Sequence, residues 1–372
     1  MNIYRTGKQF IAAATLLGLA ACDWIHDDSL PLCEYRLHFK YDYNMKFADA
    51  FQHEVDQVTL FFFDQAGSFL YQQTVNQADM IDGSSISLDL EPATYQLVTW
   101  AGLKDNSYEW PQMTAGTSTV EDIKVRTQRL ADATQPNELE PLWHSLDTLV
   151  VTREVPEEKT VSLAKNTNKV RIILQNVMGN DMDVNNFTFQ IVADNGYMDY
   201  DNSLLEDPQI NYLPYYTENV NIAADTTAGA TVGSQYVAVA EMNTMRLMNG
   251  ENYRLIVRHE GWEKDVLNVN LNNYLLLTKM EGHRISAQEY LDRQDEYSIV
   301  FFLTPILCPN CPDDPDEPDT PDNPDDPDDP TPDDPTPDTP DGPTPENPKI
   351  VGYACFKVQV KDWVIRINEG EL

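Results

Sequence analysis

Apolar and polar residues alternate in short runs along most of the chain, and this pattern predicts β-strands. The runs end in turn residues and include residues 35–41, 55–64, 94–100, 169–174 and 297–303. Short strands at this spacing are typical of β-sandwiches. The one convincing helical pattern covers residues 286–293, where Ser286 and Glu289 fit a capping box. The sequence therefore predicts an all-β fold.

The strand pattern stops at a loop and begins again after Pro156. About 350 residues follow the apolar N-terminal segment, which is more than the ~250–300 residues that one core usually organises. We therefore predict two β-sandwich domains, 22–156 and 157–307.

The segment 308–349 differs sharply from the rest because it consists mainly of proline and aspartate. Prolines at every third position favour polyproline II, and the like charges extend such a chain further. We predict a solvated linker, which would let the last strands reach away from the cell if they are donated to a partner.

Strand patterning resumes in the C-terminal segment 350–372, and its phase changes around Asp362, which predicts a bulge or tight bend. The apolar positions that alternate there are Phe356, Val358, Val360, Trp363, Ile365 and Ile367. So short a segment cannot bury these side chains by itself, so its strands must pair with a sheet of this chain or of another.

The N-terminal segment 1–21 carries Arg5 and Lys8 ahead of an apolar run that ends at Ala21. This run is too short to cross a membrane of about 30 Å and is typical of an export signal. Small residues directly before Cys22 predict a bacterial lipoprotein signal, with covalent lipid on Cys22 as the only attached group. The alternative is an ordinary signal peptide followed by an unrelated cysteine.

The chain carries 25 Lys and Arg against 61 Asp and Glu, which gives a formal net charge of −36. Contacts with nucleic-acid phosphates need clustered basic residues, so we predict that this acidic chain does not bind nucleic acid.

Four cysteines remain if Cys22 carries lipid, and an even number in an exported protein permits two disulfides. The candidates are Cys33, Cys308, Cys311 and Cys355. Cys308 and Cys311 have the spacing of half a zinc site, but the sequence offers no second half, so we predict no metal.

The sequence holds no nucleophile elbow, phosphate-binding loop or dinucleotide-binding turn, and its six histidines are scattered singly. We therefore predict that the protein is not an enzyme.

Several segments together resemble the FimB/Mfa2 family of fimbrial anchor lipoproteins from Bacteroides-type bacteria. They are the lipobox ending at Cys22, LPLC at 30–33, and residues 37–45, 55–64 and 285–297. The resemblance implies two transthyretin-like sandwiches, an outer-membrane location, and a place at the base of type V pili. There an anchor would fix the shaft subunits to the cell and limit the length of the fimbrium.

The end of the chain departs from this family and looks more like the C-terminal strands of pilus subunits. We therefore hypothesise that residues 353–372 are donated to the groove of the first shaft subunit. Two alternatives stay open: an adhesive tip or accessory subunit, and a surface lipoprotein that binds a glycan or a protein. For the glycan alternative, the candidate stacking residues are Trp100, Trp110, Trp143 and Trp262.

Overall fold

The computed structural model describes residues 34–152, 154–222, 234–279, 284–308, 349–360 and 363–366. The strands of the first half are β1 Tyr35–Lys40, β2 Gln57–Phe63, β3 Phe69–Asn76, β4 Ser85–Leu88, β5 Ala93–Ala101, β6 Tyr108–Glu109, β7 Val125–Thr127, β8 Thr134–Gln135, β9 Trp143–Val151, β10 Glu157–Ser162 and β11 Ala164–Lys165. Those of the second half are β12 Thr167–Asn176, β13 Phe187–Ala193, β14 Tyr197–Met198, β15 Ile210–Tyr212, β16 Tyr216–Ile222, β17 Gln235–Met245, β18 Arg254–His259, β19 Asp265–Asn270, β20 Glu296–Cys308, β21 Lys349–Val360 and β22 Trp363–Arg366.

Helices are few and short in the described residues. The α-helices are α1 Phe51–Glu54, α2 Leu271–Leu275 and α3 Ala287–Arg293, and the 3-10 turns are Gln77–Asp79, Val120–Asp122, Val184–Asn186 and Leu276–Thr278. The all-β prediction is confirmed, and so is the predicted helix, since the Ser286 side chain accepts a hydrogen bond from the Glu289 amide at the start of α3. None of the helices described is long and apolar enough to span a bilayer.

The first sandwich packs a three-stranded sheet, β10-β1-β4, against a five-stranded sheet, β11-β9-β5-β2-β3. Its core takes every second residue of β1 together with the apolar faces of β2, β5 and β9, for example Phe39, Leu60, Leu97 and Leu149. In β1 the alternation seen in the sequence therefore separates core positions from outer positions. β2 buries both faces instead, with Leu60 in this core and Phe61 in the neighbouring cluster.

The strands β10 and β11 follow Pro156 but belong to the first sandwich. β10 pairs in parallel with β1, and β11 pairs with the start of β9. The change from one sandwich to the next thus falls after Lys165 rather than at Pro156. The sequence misplaced this boundary because β10 pairs with a strand more than a hundred residues away, which local patterning does not record.

The second sandwich packs the sheet β16-β17-β12-β20-β21-β22 against the sheet β19-β18-β13-β15-β8. β8 comes from the first half of the chain, and a small sheet, β14-β7-β6, also joins strands of both halves. One buried cluster runs from Phe61 in β2 to Val358 in β21. The two sandwiches therefore share strands and core in this structure.

Candidate functional site

The C-terminal strands pair with the body of their own chain. β21 runs antiparallel to β20 from Ile299 to Cys308, and β22 pairs in turn with the outer side of β21. Of the two pairings that the sequence left open, with a sheet of this chain or of another, the structure shows the first. The reversal between Val360 and Trp363, which are directly paired, agrees with the tight bend predicted near Asp362.

The acidic linker begins and ends at the same place on this sheet. Cys308, the last residue of β20, lies directly opposite Lys349, the first residue of β21. Directly opposed residues of antiparallel strands are only about 4.5–5.5 Å apart. The linker thus connects two neighbouring antiparallel strands of one sheet.

A bulge changes which side chains of β21 face the core. The register with β20 skips Phe356, so that Lys357 opposes Phe302 while Cys355 opposes Leu303. As a result Cys355 and Val358 are buried, whereas Phe356 is 51% exposed. The sequence predicted one apolar face with Phe356 and Val358 side by side, and the extra residue of the bulge places them on opposite faces.

The other candidate donor residues lie at the end of the chain. Val360 is the last residue of β21, Trp363 and Ile365 lie in β22, and Ile367 lies outside the described residues.

Aromatic side chains hold the first half of β21 against the second sandwich. The ring centroid of Tyr353 lies 5.3 Å from that of Trp262 and 6.2 Å from that of Phe187. His259 stacks on Trp262 with the ring centroids 3.9 Å apart. At these distances aromatic pairs add about 0.5–1.5 kcal/mol each beyond the burial of their surface. β21 is therefore fixed by its ladder, by Val358 in the core and by this aromatic cluster.

We expect Val358→Asp to release β21, because it puts an unpaired charge into the core at a cost of about 3–5 kcal/mol. Phe356→Asp is the matched control in the same strand, and it should change the stability of docking by less than about 1 kcal/mol. Limited proteolysis of the purified variants measures the release, since a free β21 is cut near Lys357. If the two variants resisted the protease equally, Val358 and Phe356 would not lie on opposite faces of β21, and the bulge would be contradicted.

The cysteines fall into two groups. Cys308 is disulfide-bonded, whereas Cys355 is a free thiol, in contrast to its prediction as a disulfide candidate. Burial raises the pKa of Cys355 to about 11, so the thiol is a poor nucleophile at neutral pH. Cys22, Cys33 and Cys311 lie outside the described residues.

The strand at the other end of the chain is fully integrated in its sheet. β1 lies between β10 and β4, and its side chains Tyr35, Leu37 and Phe39 are buried in the first core. Arg36, between them, is exposed. The groove that β1 occupies is thus filled by the chain's own strand.

Within the described residues, no cluster of three His, Cys, Asp or Glu side chains could hold a metal ion. Two of the four tryptophans weighed for glycan stacking, Trp100 and Trp143, are fully buried in the core. They are therefore packing residues and offer no surface to a sugar.

His144 is a buried packing residue whose Nε2 lies 2.8 Å from the carbonyl oxygen of Tyr200. Burial lowers its pKa from 6.5 to about 4, against the smaller opposite effect of that carbonyl. In the unfolded chain His144 has its ordinary pKa of 6.5. Between pH 4 and pH 6.5 the unfolded state therefore binds more protons than the folded state. Stability must therefore fall as the pH drops through this window.

We expect His144 to account for a loss of roughly 3 kcal/mol in the free energy of unfolding between pH 6.5 and pH 4. Denaturant unfolding of the native protein and of His144→Gln across this range isolates the contribution, because glutamine does not titrate. Parallel pH curves for the two proteins would show that His144 is not the group responsible.

A sequence model of the fimbrillin-A associated anchor proteins Mfa1 and Mfa2 matches residues 30–369 of the chain. No curated protein matches it. Among solved structures, the fimbrial anchor protein Mfa2 of Porphyromonas gingivalis has a TM-score of 0.57 at 14% identity, covering 90% of this chain and 98% of that chain. That likeness shows the shared fold.

Two structures from Bacteroides thetaiotaomicron VPI-5482 are more similar in sequence. One, whose description proposes polysaccharide binding, is 31% identical with a TM-score of 0.69, over 91% of this chain and all of that chain. The other, whose description proposes an adhesin, is 27% identical with a TM-score of 0.70, over 92% of this chain and all of that chain. Since the sequence match spans nearly every element described above, the chain belongs to the family of fimbrillin-A associated anchor proteins Mfa1 and Mfa2.

Proposed function

We propose that this protein anchors a fimbrium to the bacterial cell surface. In this proposal, lipid on Cys22 tethers it to the outer membrane, and the folded body binds fimbrial shaft subunits, fixing the shaft and limiting its length. The family match over residues 30–369 carries the proposal. The small residues before Cys22 support the attachment of lipid to this cysteine. Several acyl chains on one residue would hold the protein stably in the membrane.

The arrangement of β1 supports a role at the base of the fimbrium. A subunit that accepts a strand from its neighbour needs an open groove, whereas β1 lies at the centre of its sheet between β10 and β4. An anchor must also keep the N-terminal segment that carries the lipid, and an occupied groove is consistent with that need.

We infer that the C-terminal hairpin is the part donated to the first shaft subunit, and that it is stored against its own body beforehand. A donated strand gains main-chain hydrogen bonds and fills pockets with alternate side chains. Donation would break the β20–β21 ladder and withdraw Tyr353 from Trp262, and equivalent contacts in the partner would replace these losses.

Mass spectrometry of the mature N-terminus tests the tether. An acylated Cys22 supports the anchor, whereas a mature chain that starts after Arg36 would identify a shaft or tip subunit. Deletion of the gene should release fimbriae into the medium, and they should be longer than those of the parent strain. Fimbriae that remain attached at normal length would refute anchoring.

A further inference from the structure

The small sheet that joins both halves of the chain carries three side chains side by side on its outer face. Arg126 in β7 lies directly opposite Glu109 in β6 on one side and Tyr197 in β14 on the other. Directly opposed residues of neighbouring strands share one face of a sheet. Val125 and Thr127, on either side of Arg126, are buried. The row of three therefore faces outward.

This row lines a pocket of about 290 Å³. Trp110 follows β6 directly and also lines the pocket, together with Asp122 and Lys124 shortly before β7. Trp110 is half-buried and packs against the core, so its ring is held in place. The pocket thus combines two aromatic rings with four charged side chains.

The polar groups of this pocket are not used up by one another. Glu109 and Arg126 are directly opposed but form no ion pair in the described structure. The Arg126 guanidinium instead lies over Tyr197, 4.1 Å from the ring centroid, and its Nη2 is 3.7 Å from Oδ1 of Asp207. Among the described residues, the side chains of Glu109, Lys124 and Arg126 have no hydrogen-bond partner. With 43% of its side chain exposed, Arg126 can therefore donate to a ligand.

The charges around the pocket balance, which selects a neutral ligand. Two acidic and two basic side chains line it: Glu109, Asp122, Lys124 and Arg126. Asp207 and Arg129, which pair with each other next to Arg126, cancel as well. An anion would meet the carboxylates and a cation the basic groups. A hydroxyl group both donates and accepts, so a neutral molecule with several hydroxyl groups can use both kinds of side chain.

The aromatic rings narrow this class to sugars, which have an apolar C–H face besides their hydroxyl groups. Such a face is buried favourably against an aromatic ring. Of the four tryptophans weighed for stacking, Trp100 and Trp143 are buried, and Trp262 already stacks on His259. Trp110 is left, and its pocket is just below the ~300–1,000 Å³ of common small-molecule sites. That volume suits one sugar ring of a longer glycan.

We propose that this pocket binds a neutral saccharide. Trp110 packs against the apolar face of the sugar ring. Arg126 and Lys124 donate hydrogen bonds to hydroxyl oxygens, and the Glu109 carboxylate accepts hydrogen bonds from hydroxyl groups. None of the lining residues belongs to β20 or β21, so this binding is a further activity that does not depend on donation of the C-terminal hairpin.

The test presents the purified mature protein to an array of oligosaccharides. The neutral probes are built from glucose, galactose, mannose or N-acetylhexosamines, and the acidic probes carry uronic or sialic acids. We expect binding to neutral probes. In calorimetry with the best of them, Arg126→Gln and Trp110→Ala should each bind at least about tenfold more weakly. The matched controls, Arg36→Gln in β1 and Tyr216→Ala at a 44% exposed position in β16, should bind as the native protein does.

Arg126→Gln leaves Asp207 paired with Arg129, so this variant should fold normally. If Trp110→Ala does not fold, Glu109→Gln at an exposed position takes its place, and it too should weaken binding. The proposal is overturned if the native protein binds no neutral probe, if it prefers acidic probes, or if Arg126→Gln binds as tightly as the native protein. Cells that carry Arg126→Gln should keep their fimbriae, so loss of saccharide binding and loss of anchoring are separate results.

Discussion

Phe39→Asp is expected to abolish cooperative folding of the first sandwich. The Phe39 ring is fully buried and stacks on Phe51 with the ring centroids 5.6 Å apart. Loss of a buried phenylalanine costs about 3–5 kcal/mol, and an unpaired buried carboxylate adds several more. This sum is comparable with the whole stability of a typical domain, about 5–15 kcal/mol. Circular dichroism during heating should show a smaller cooperative transition than in the native protein, because the first sandwich no longer contributes to it.

Two further variants of β1 make this prediction quantitative. Phe39→Ala should still fold and lose about 3–5 kcal/mol in the free energy of unfolding, which denaturant titration measures. Arg36→Ala is the control on the exposed face of the same strand, and it should change stability by less than about 0.5 kcal/mol. If Phe39→Ala were as stable as Arg36→Ala, β1 would not be part of the core and its groove would be free for another strand.

Local patterning predicted the strands best where the register is regular. Every second residue is buried in β1 and along most of β20, and nearly every residue is buried in β2. The sequences of these strands therefore show directly which side chains lie in the core. The same reasoning failed at Phe356 because a bulge depends on how β21 lies against β20.

Pairing between distant segments accounts for the other differences between the sequence-based predictions and the structure. The composition of the acidic linker predicted an extended spacer, and it holds no information on where the next strand pairs. Once β21 lies on β20, the two ends of the linker are brought together whatever its own stiffness. The family resemblance added what patterning could not, because it rests on many residues spread over both sandwiches.

Joining β20 to β21 covalently is expected to abolish the retention of fimbriae. Val300 and Gln359 are directly opposed in the ladder and lie on the outer face of the sheet, away from the buried Ile299 and Phe301. The spacing of such pairs suits a disulfide, and the bacterial periplasm is oxidising. Val300→Cys with Gln359→Cys should therefore form a bond that keeps the C-terminal hairpin on its own body.

If the hairpin must leave β20 to reach a shaft subunit, the double variant sheds its fimbriae as the gene deletion does, although it still reaches the surface. Each single cysteine variant controls for the substitutions, because neither can form the bond and both should retain fimbriae. Counts of cell-bound and released fimbriae by electron microscopy measure the effect. Normal retention by the locked protein would show that β21 serves the stability of its own sandwich, and the contact with the shaft would then have to lie elsewhere on the body.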